Sequence, residues 1–487
     1  MNYKFTLRLL GIVALCEGVL LLAPLILAAS KGEHWISFAI TLGIAVVFGL
    51  PLALFCKPEK NSMRVTGGLV SCSLCWILMS VIGCLPFVFS HNASFLDALF
   101  ETVSGFTTTG ATIFDNPENL GLALNLWRAM THWVGGMGML LFVIAFLPKT
   151  EGTTYQVFKA ETPGPKAGKL VSKLSITARI LYLIYFGMTV LCAVMLLCGG
   201  VSLYDSVVLS FATAGTGGFT PNALGIAMYD SLYVEAVLTV FMFLFGINFT
   251  LYYFVLLGKA KELFRSEEVR WFVSIILIAT AGISVSLWID KVYQTFGECL
   301  RVSIFQVVSN ISTTGYVLRD TSNWPAVSQA LLIAIMFCGG CAGSTAGGLK
   351  VSRIAILGKS AVREFRTSLN PNRVLDIKLE GRIMDKNVVH GVLRYFVVYV
   401  LFMAISILAL TIANPSVSGS AQSTFMDAIT ATISCVNNVG PAAFDYASGN
   451  FANFTPAAKV IMTLDMLAGR LEILPILMLF NPRSWQR

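Results

Sequence analysis

The sequence predicts an all-α integral membrane protein, with ten transmembrane helices and four copies of one repeated unit around a pseudo-four-fold pore. Hydrophobic residues make up 56% of the 487 residues and charged residues only 12%, roughly half the charged share of a soluble domain. Mean hydropathy is +0.76. A Gly/Thr-rich string also recurs four times along the chain. These observations exclude a soluble enzyme, a disordered regulator, a secreted disulfide scaffold and a nucleic-acid binder.

The predicted crossings are apolar segments of about 20 residues, the length that spans the hydrocarbon core of a bilayer. They are 9–29, 36–56, 66–90, 125–148, 178–200, 231–257, 271–290, 326–348, 391–413 and 457–480. The first follows Lys4 and Arg8 as a signal peptide would, but it is longer than the usual apolar core of about 7–15 residues. We therefore predict that it remains as a membrane helix.

The basic residues predict the orientation. The formal charge is +8, and most of the 34 lysines and arginines fall in the segments before the first crossing, after every second crossing and in the carboxyl-terminal tail. Lys/Arg-rich connections lie on the cytoplasmic side of a membrane. We therefore expect both termini in the cytoplasm, six basic residues on the other side (Arg128 among them), membrane lipid around the helices and no nucleic-acid partner.

Four shorter segments, too short to span a bilayer, each lie between two crossings and lead into one of the strings. The short segments are 95–107, 203–215, 300–312 and 424–436. The strings, numbered 1 to 4 below, are 105–112, 214–220, 310–317 and 435–442. Aligned on Gly110, Gly218, Gly315 and Gly440, they carry Thr108, Thr216, Thr313 and Asn438 two positions earlier. Asp97, Asp205 and Asp427 stand thirteen positions earlier, and the third unit has Val302 there with Glu298 four residues before it.

These features divide the chain into an extra amino-terminal helix pair and four units. We expect the pair at 1–62 and the units at 63–150, 174–260, 268–362 and 386–487. Each unit consists of a crossing, a short helix, a string and a second crossing, and the second crossing of the third unit is expected to be broken.

Four irregular strings at membrane depth predict an ion pathway. Such backbone is tolerated only inside protein or along a water-filled cavity, so the strings are expected to meet around one axis. Glycine allows backbone conformations that bring carbonyl groups close to a ligand, and a ring of carbonyls can replace the hydration shell of a cation. Asp97, Asp205 and Asp427 are expected to mark the starts of the short helices, where a carboxylate caps free N–H groups.

Three stretches carry a resemblance to a known family: SGFTTTGAT at 104–112, GGCAGSTAGGLK at 339–350 and GRLEILPIL at 469–477. Together with the four strings, they resemble the Trk/Ktr/HKT superfamily of potassium transporters, and most closely its bacterial Trk-type membrane subunit. The resemblance covers nearly the whole chain, including the amino-terminal pair that Ktr-type relatives lack.

The resemblance implies a gated potassium pathway in the bacterial cytoplasmic (inner) membrane, formed by one chain that dimerises and is regulated by a cytosolic nucleotide-binding ring. K⁺ is the implied ion, with no organic cofactor. The implied selectivity filter comprises Thr108, Thr109, Gly110, Thr216, Gly217, Gly218, Thr313, Thr314, Gly315, Asn438, Val439 and Gly440. Plant relatives that prefer sodium have Ser at the first filter glycine, so Gly110 favours potassium. The fourth string is the least like a potassium-channel filter.

The predicted gate combines a glycine-rich stretch with one buried cation. The stretch consists of Gly339, Gly340, Cys341, Ala342, Gly343, Ser344, Thr345, Ala346, Gly347 and Gly348, which is a poor helix. It is either a site of close helix packing or a loop below the filter, and the resemblance favours the loop. Lys350 either borders this loop or lies at the cytoplasmic interface.

Arg470 falls near the middle of the last crossing, where an ionised side chain is costly and is usually functional. It is either a snorkelling or paired arginine, with Asp465 or Glu472 as partner, or a charge beneath the filter that contacts the 339–348 stretch. The resemblance also places an arginine here.

Two other functions compete with a gated, channel-like pathway. A symporter that couples K⁺ to H⁺ or Na⁺ needs ionisable residues along the spans, and the candidates are few: Glu17, Glu235, Asp465 and Glu472. A membrane enzyme needs a catalytic constellation, and the sequence contains neither HExxH nor GxSxG and only four histidines. We therefore expect a channel-like transporter and no enzyme activity.

Overall fold

The computed structural model describes residues 2–56, 65–138, 174–370, 375–414, 421–441 and 451–485. The amino-terminal pair and the first unit contain α1 (Tyr3–Lys31), α2 (Trp35–Phe55), α3 (Val65–Phe89), α4 (Phe95–Phe106) and α5 (Gly121–Met137). The second unit contains α6 (Leu174–Cys198), α7 (Leu203–Gly215), α8 (Leu232–Phe245) and α9 (Phe249–Leu256), and α10 (Lys261–Arg265) follows it.

The third unit contains α11 (Glu267–Ile289), α12 (Phe296–Ile311), α13 (Ala326–Cys338) and α14 (Val351–Leu369). A small antiparallel hairpin follows, in which β1 (Lys378–Leu379) pairs with β2 (Arg382–Ile383) and Lys378 lies opposite Ile383. The fourth unit contains α15 (Lys386–Ala413), α16 (Ala421–Asn437), α17 (Pro456–Arg470) and α18 (Leu474–Leu479). Short 3₁₀ turns occupy Pro117–Leu120, Gly225–Tyr229 and Pro482–Trp485.

The amino-terminal helices α1 and α2 form a closely packed pair. A Cβ atom built on Gly11 would lie 2.7 Å from the carbonyl oxygen of Gly49, and one built on Gly49 would lie 2.8 Å from the carbonyl oxygen of Gly11. Small residues at such a crossing let two membrane helices approach closely, which maximises their van der Waals contact.

In each unit, the helix that follows the string ends early. This differs from the continuous second crossings that hydropathy predicts at 125–148, 231–257 and 457–480. Helices α5, α8, α13 and α17 end at Met137, Phe245, Cys338 and Arg470. In the second unit, α8 and α9 meet at an angle of 95° across the break. The second crossing of the third unit is broken where the sequence predicts it, after Cys338. The last part of the predicted crossing 125–148, residues 139–148, lies outside the described residues.

Because of these breaks, the described residues contain six helices that are long and apolar enough to cross a membrane, or seven if α8 and α9 count as one span. Helix α13 is a shorter apolar helix. The protein is therefore a multi-pass membrane protein, although several of the ten predicted crossings are not continuous helices.

The short helices begin with hydroxyl caps. The Ser94, Ser202 and Thr295 side chains each accept a hydrogen bond from the backbone N–H three residues later. Those later residues are Asp97, Asp205 and Glu298, so each acid lies in the first helical turn, as in a capping box. Helix α12 has 16 residues, against 12 in α4 and 13 in α7. It begins about one turn earlier, which explains why the acid of its first turn, Glu298, lies four residues before the predicted offset.

The prediction that Asp427 marks a helix start is wrong. Helix α16 begins at Ala421 and has no acidic residue in its first turn. Asp427 is the seventh residue of the helix and is buried. Four more residues precede Asp427 in its helix than precede Asp97 in α4, and this extra turn moves the helix start away from the position that the alignment on Gly440 indicates.

Buried apolar side chains form two main clusters. One is built mainly from the amino-terminal pair and the first and fourth units, and the other from the second and third units. The four strings lie where the units meet.

Candidate cation pathway

The four strings adopt one backbone turn. Thr108, Thr216, Thr313 and Asn438 all have φ between 54° and 58°, a left-handed conformation that is uncommon outside glycine. The next residue in each string donates its N–H to a carbonyl oxygen five residues earlier, and each distance is 2.9 Å. The donors are Thr109, Gly217, Thr314 and Val439, and the acceptors are Ser104, Ala212, Ser309 and Ser434. The alignment from the sequence therefore corresponds to the same three-dimensional turn in all four units.

The strings meet in a closed ring. Gly110, Gly218, Gly315 and Gly440 have φ of 80°, 84°, 77° and 107°. A Cβ atom built on each would lie 1.8, 2.0, 1.9 and 2.5 Å, in that order, from a carbonyl oxygen of another string. Those oxygens belong to Gly217, Thr314, Val439 and Thr109.

Each glycine thus faces the string of the following unit, and the fourth faces the first. Any side chain at these positions would collide with a neighbouring carbonyl, so the ring requires glycine for both its backbone angle and its space. The arrangement brings carbonyl oxygens from all four units together at the junction of the strings, and such oxygens can coordinate a dehydrated cation.

String 4 differs from the others in its side-chain contacts. Asn438 Nδ2 donates to Thr109 Oγ1 at 2.9 Å and to the Met466 carbonyl oxygen at 3.0 Å. Where the other units have threonine, this amide therefore links string 4 both to string 1 and to helix α17.

Residues 339–350 connect α13 to α14 and are called the 339–350 loop below. This loop packs against strings 3 and 4. Gly347 N donates to Thr313 Oγ1 at 2.7 Å. A Cβ atom on Gly347 would lie 2.4 Å from the Asn437 carbonyl oxygen, so the loop backbone touches the junction of string 4 with its helix. The two ends of the loop also meet, because a Cβ on Gly348 would lie 2.7 Å from Gly339 Cα.

The second unit and the start of α11 also hold the loop. Cys341 N donates to the Gly246 carbonyl oxygen at 2.9 Å, and Phe249 N donates to the Gly343 carbonyl oxygen at 3.0 Å. Both partners lie at the bend between α8 and α9. Ala342 N donates to Glu268 Oε1 at 2.7 Å. The loop therefore bridges the strings, the bent second unit and the start of α11.

Arg470 connects three parts of this site. Its guanidinium donates to the Thr345 carbonyl oxygen at 2.8 Å, and to the Gly135 and Gly136 carbonyl oxygens at 2.5 and 2.7 Å. A longer contact of 3.4 Å reaches Thr108 Oγ1. Arg470 thus lies between the 339–350 loop, the end of α5 and string 1.

The residues near Arg470 have partners of their own. Glu472 pairs with Arg353 at 2.7 Å, and Asp465 accepts a hydrogen bond from Ser406. Lys350 is the last residue of the loop. It is only 4% exposed, and its side chain donates to the Ala346 carbonyl oxygen. Of the two positions that the sequence allows for Lys350, the structure shows the buried one.

The pore-helix acids do not converge with the strings. Asp97 lies at the start of α4 and pairs with Lys459 of α17 at 2.6 Å. Asp205 lies at the start of α7. These carboxylates sit at the far ends of the short helices, whereas the strings continue from the opposite ends.

Sequence reasoning missed several polar residues behind the strings. Arg128, which the charge pattern counts on the outer side, is buried and pairs with Glu101 at 2.8 Å. His132 Nδ1 lies 2.7 Å from the Gly105 carbonyl oxygen, and its ring lies 4.1 Å from that of Phe219. The available signal was Glu101, an acid in the middle of a short helix predicted at membrane depth, because ionisable residues there are usually functional.

Comparison with known proteins gives consistent results along the whole chain. A family model described as TrkH, a cation transport protein, matches residues 36–487. The Trk system potassium uptake protein TrkH of Salmonella typhimurium is 33% identical over 491 residues, covering 100% of both chains. The protein of the same name from Escherichia coli K12 is 32% identical, again over 100% of both chains. The crystal structure of the potassium transporter TrkH from Vibrio parahaemolyticus superposes with a TM-score of 0.89 at 28% identity, covering 100% of both chains.

Proposed function

The chain belongs to the TrkH family of cation transport proteins, and on this premise we propose that it takes up potassium as the membrane subunit of a Trk system. The family is one of transporters and not of enzymes. The observation that carries the proposal is the closed ring of four glycines, each against a carbonyl oxygen of the next string. Four strings that share one turn can present equivalent oxygens to one cation.

The proposed filter is the set of string residues at and just before the ring glycines. It contains Thr108, Thr109 and Gly110 of string 1, Thr216, Gly217 and Gly218 of string 2, Thr313, Thr314 and Gly315 of string 3, and Asn438, Val439 and Gly440 of string 4. Potassium is the transported substrate in this proposal. Backbone carbonyls supply the field that replaces its hydration shell, and the glycines keep the space beside them free.

The proposed gate is the 339–350 loop together with Arg470. The contacts of Gly347 with Thr313 and Asn437 press the loop against two strings. The Arg470 guanidinium adds a positive charge beside string 1 and binds the loop through Thr345. A blocking loop and a like charge would both oppose the entry of a cation from this side.

Further proposals follow from the family and the charge pattern. We place the protein in the bacterial cytoplasmic membrane with both termini inside, as an extra helix pair and four pore units with the boundaries given above. A second copy and a cytosolic nucleotide-binding ring are the proposed partners. The basic residues of 350–394, which run from the end of the third unit into the start of the fourth, are the proposed docking surface for that ring.

Coupled symport of K⁺ with H⁺ or Na⁺ is the competing mechanism. Buried carboxyl groups do lie within the spans, at Glu17 and Asp465. Glu17 lies on α1, against Gly83 of α3, and Asp465 binds Ser406 of α15. Neither carboxyl lies in a string, and Asp465 is held by a contact between two helices. This placement favours the channel-like mechanism.

Replacement of Gly110 by Ser tests the filter. A side chain there would meet the Gly217 carbonyl oxygen and distort the ring, so we expect Gly110→Ser to lower Rb⁺ flux relative to Na⁺ flux by about tenfold, equivalent to about 1.4 kcal/mol of discrimination. Both fluxes are measured into liposomes that contain the purified full-length protein. Gly187→Ser is the matched control, because a Cβ there meets nothing within 4 Å. Equal Rb⁺ and Na⁺ fluxes in both the wild type and Gly110→Ser would contradict the filter assignment.

A further inference from the structure

A fully buried ion pair lies behind the strings of the first and second units. Arg128 of α5 and Glu101 of α4 are 2% and 1% exposed, and Arg128 Nε lies 2.8 Å from Glu101 Oε1. Removing two charges from water is costly unless the remaining hydrogen-bonding positions are also satisfied. The partners that satisfy them therefore show what the pair is built to hold.

The Glu101 carboxylate holds the chain that follows the glycine of string 1. Ile113 N donates to Glu101 Oε2 at 2.9 Å, and Thr112 Oγ1 donates to Glu101 Oε1 at 3.0 Å. Arg128 Nη2 completes the cluster by donating to Thr112 Oγ1 at 3.1 Å. These residues lie only two and three positions after Gly110, so the pair fixes the exit of the first string.

The Arg128 guanidinium also reaches string 2. It lies 4.2 Å from the centroid of the Phe219 ring, and Nη1 makes a long contact of 3.4 Å with the Thr220 carbonyl oxygen. Phe219 directly follows Gly218. A cation over an aromatic face is attracted to it, most strongly where water is excluded. One arginine thus joins the exits of two adjacent strings.

The pair belongs to one unit only. Glu101 stands nine residues before Gly110, and the corresponding residues of the other units are Leu209, Gln306 and Ala431. The turn of the strings is the same in all four units, so the turn itself does not require this ion pair. Its role must be specific to the junction of strings 1 and 2.

We propose that Glu101 and Arg128 form a positioning pair that sets the spacing of strings 1 and 2, and thereby the discrimination between potassium and sodium. The inference rests on the proposed function. A ring of carbonyls favours the larger ion only while its oxygens keep their number and arrangement. A clamp on one side of the ring prevents two of its four strings from closing around the smaller ion.

A set of four variants tests this role. Glu101→Gln and Arg128→Gln each leave the other charge buried without its partner, whereas the double variant removes both charges. Glutamine is the residue that the third unit has, as Gln306, at the position that corresponds to Glu101. Breaking a buried pair is strongly destabilising, but replacing both members is often nearly neutral. The double variant is therefore expected to keep a melting temperature near that of the wild type. Arg128→Lys keeps the charge but loses the planar guanidinium group, whose two Nη atoms reach both strings.

The matched control is the pair formed by Glu235 of α8 and Arg301 of α12. This pair also joins a second helix to a short helix, through two hydrogen bonds of 2.7 and 2.6 Å. Neither residue lies in a string. Arg301 is the sixth residue of α12 and is 37% exposed. The double variant Glu235→Gln/Arg301→Gln thus removes the same two charged groups at a site outside the strings.

The measurements are the ratio of Rb⁺ to Na⁺ flux in liposomes and the melting temperature of the purified full-length protein. The Glu101/Arg128 double variant and Arg128→Lys should both lower the flux ratio by about threefold or more, while the control pair leaves it unchanged. If the double variant folds and keeps the wild-type flux ratio, the proposal is overturned. If the double variant does not fold, a wild-type flux ratio in Arg128→Lys overturns it. If the wild type itself passes Rb⁺ and Na⁺ equally, the proposed function fails instead.

Discussion

At the scale of single residues, Arg470 has the most diverse contacts in the site. One guanidinium binds the 339–350 loop, the carbonyl end of α5 and, at longer range, string 1. Its donors match backbone carbonyl oxygens that the broken helices leave exposed. Arg470 therefore satisfies the helix ends and places a positive charge beside the ring.

Arg470→Ala tests the second of these effects. Loss of the charge and of the contact with Thr345 should raise cation flux at a fixed driving force by about tenfold, which corresponds to lowering the barrier by about 1.4 kcal/mol. Rb⁺ flux into liposomes measures it. Arg470→Lys, which keeps the charge but not the planar fork, is the control and should remain closer to the wild type. An unchanged or lower flux in a folded Arg470→Ala protein would remove Arg470 from the gate.

At the scale of elements, the helices that follow the four strings (α5, α8, α13 and α17) show how glycine shapes the site. Each ends at or beside a glycine, and Gly135 and Gly469 lie against the carbonyl groups of Phe106 and Val436, with Cβ positions 1.8 and 2.1 Å from those oxygens. Helices α5 and α17 therefore stop where they touch the end of a short helix. The break lets the backbone approach closely, and in the third unit it releases the chain that forms the 339–350 loop.

Glu268 provides a test of how the loop is held. Its carboxylate accepts the Ala342 N–H, and a hydrogen bond to a charged acceptor contributes about 1.5–3 kcal/mol. If the loop blocks the pathway, Glu268→Ala should release it and raise Rb⁺ flux several-fold. Glu267→Ala is the matched control, since Glu267 is the adjacent acid and pairs with Lys359 of α14 rather than with the loop. Equal effects of the two substitutions would argue against a specific clamp.

Local patterns predicted the strings and the loop well, and predicted long-range structure poorly. The alignment on Gly110 located the same turn four times because glycine and threonine are needed at fixed backbone positions. Hydropathy did not reveal the 95° bend after Phe245, since apolar residues continue on both sides of it. The Glu101–Arg128 pair was missed because the two residues are distant in sequence and meet only when α4 packs against α5.

At the scale of the whole molecule, the two apolar clusters enclose the strings between the first and fourth units on one side and the second and third on the other. Among the described residues, most charged groups inside this frame are paired with one another or with backbone groups, and the buried Glu17 carboxyl is an exception. This pattern fits the proposed channel-like mechanism, because coupling to protons requires a relay of ionisable groups.

The reversal potential separates this mechanism from symport. For a channel-like pathway, currents across a planar bilayer should reverse at the potential set by the K⁺ gradient, with no shift when the pH gradient is changed. Each tenfold change in the K⁺ gradient should move the reversal potential by about 59 mV, the Nernst slope for a monovalent ion. A reversal potential that shifts with the H⁺ gradient at constant K⁺ and Na⁺ would contradict this mechanism and favour coupling to protons.

The order of contacts around the ring has a further consequence. Each glycine faces the string of the following unit and the fourth faces the first, so the contact is heterologous and closes after four copies, as in a cyclic tetramer. Four identical chains could build such a ring only with every feature repeated four times. A single polypeptide removes that constraint, so features such as the 339–350 loop, Arg470 and the Glu101–Arg128 pair need not recur in every unit. The symmetry can thus be retained in the proposed filter and abandoned in the proposed gate.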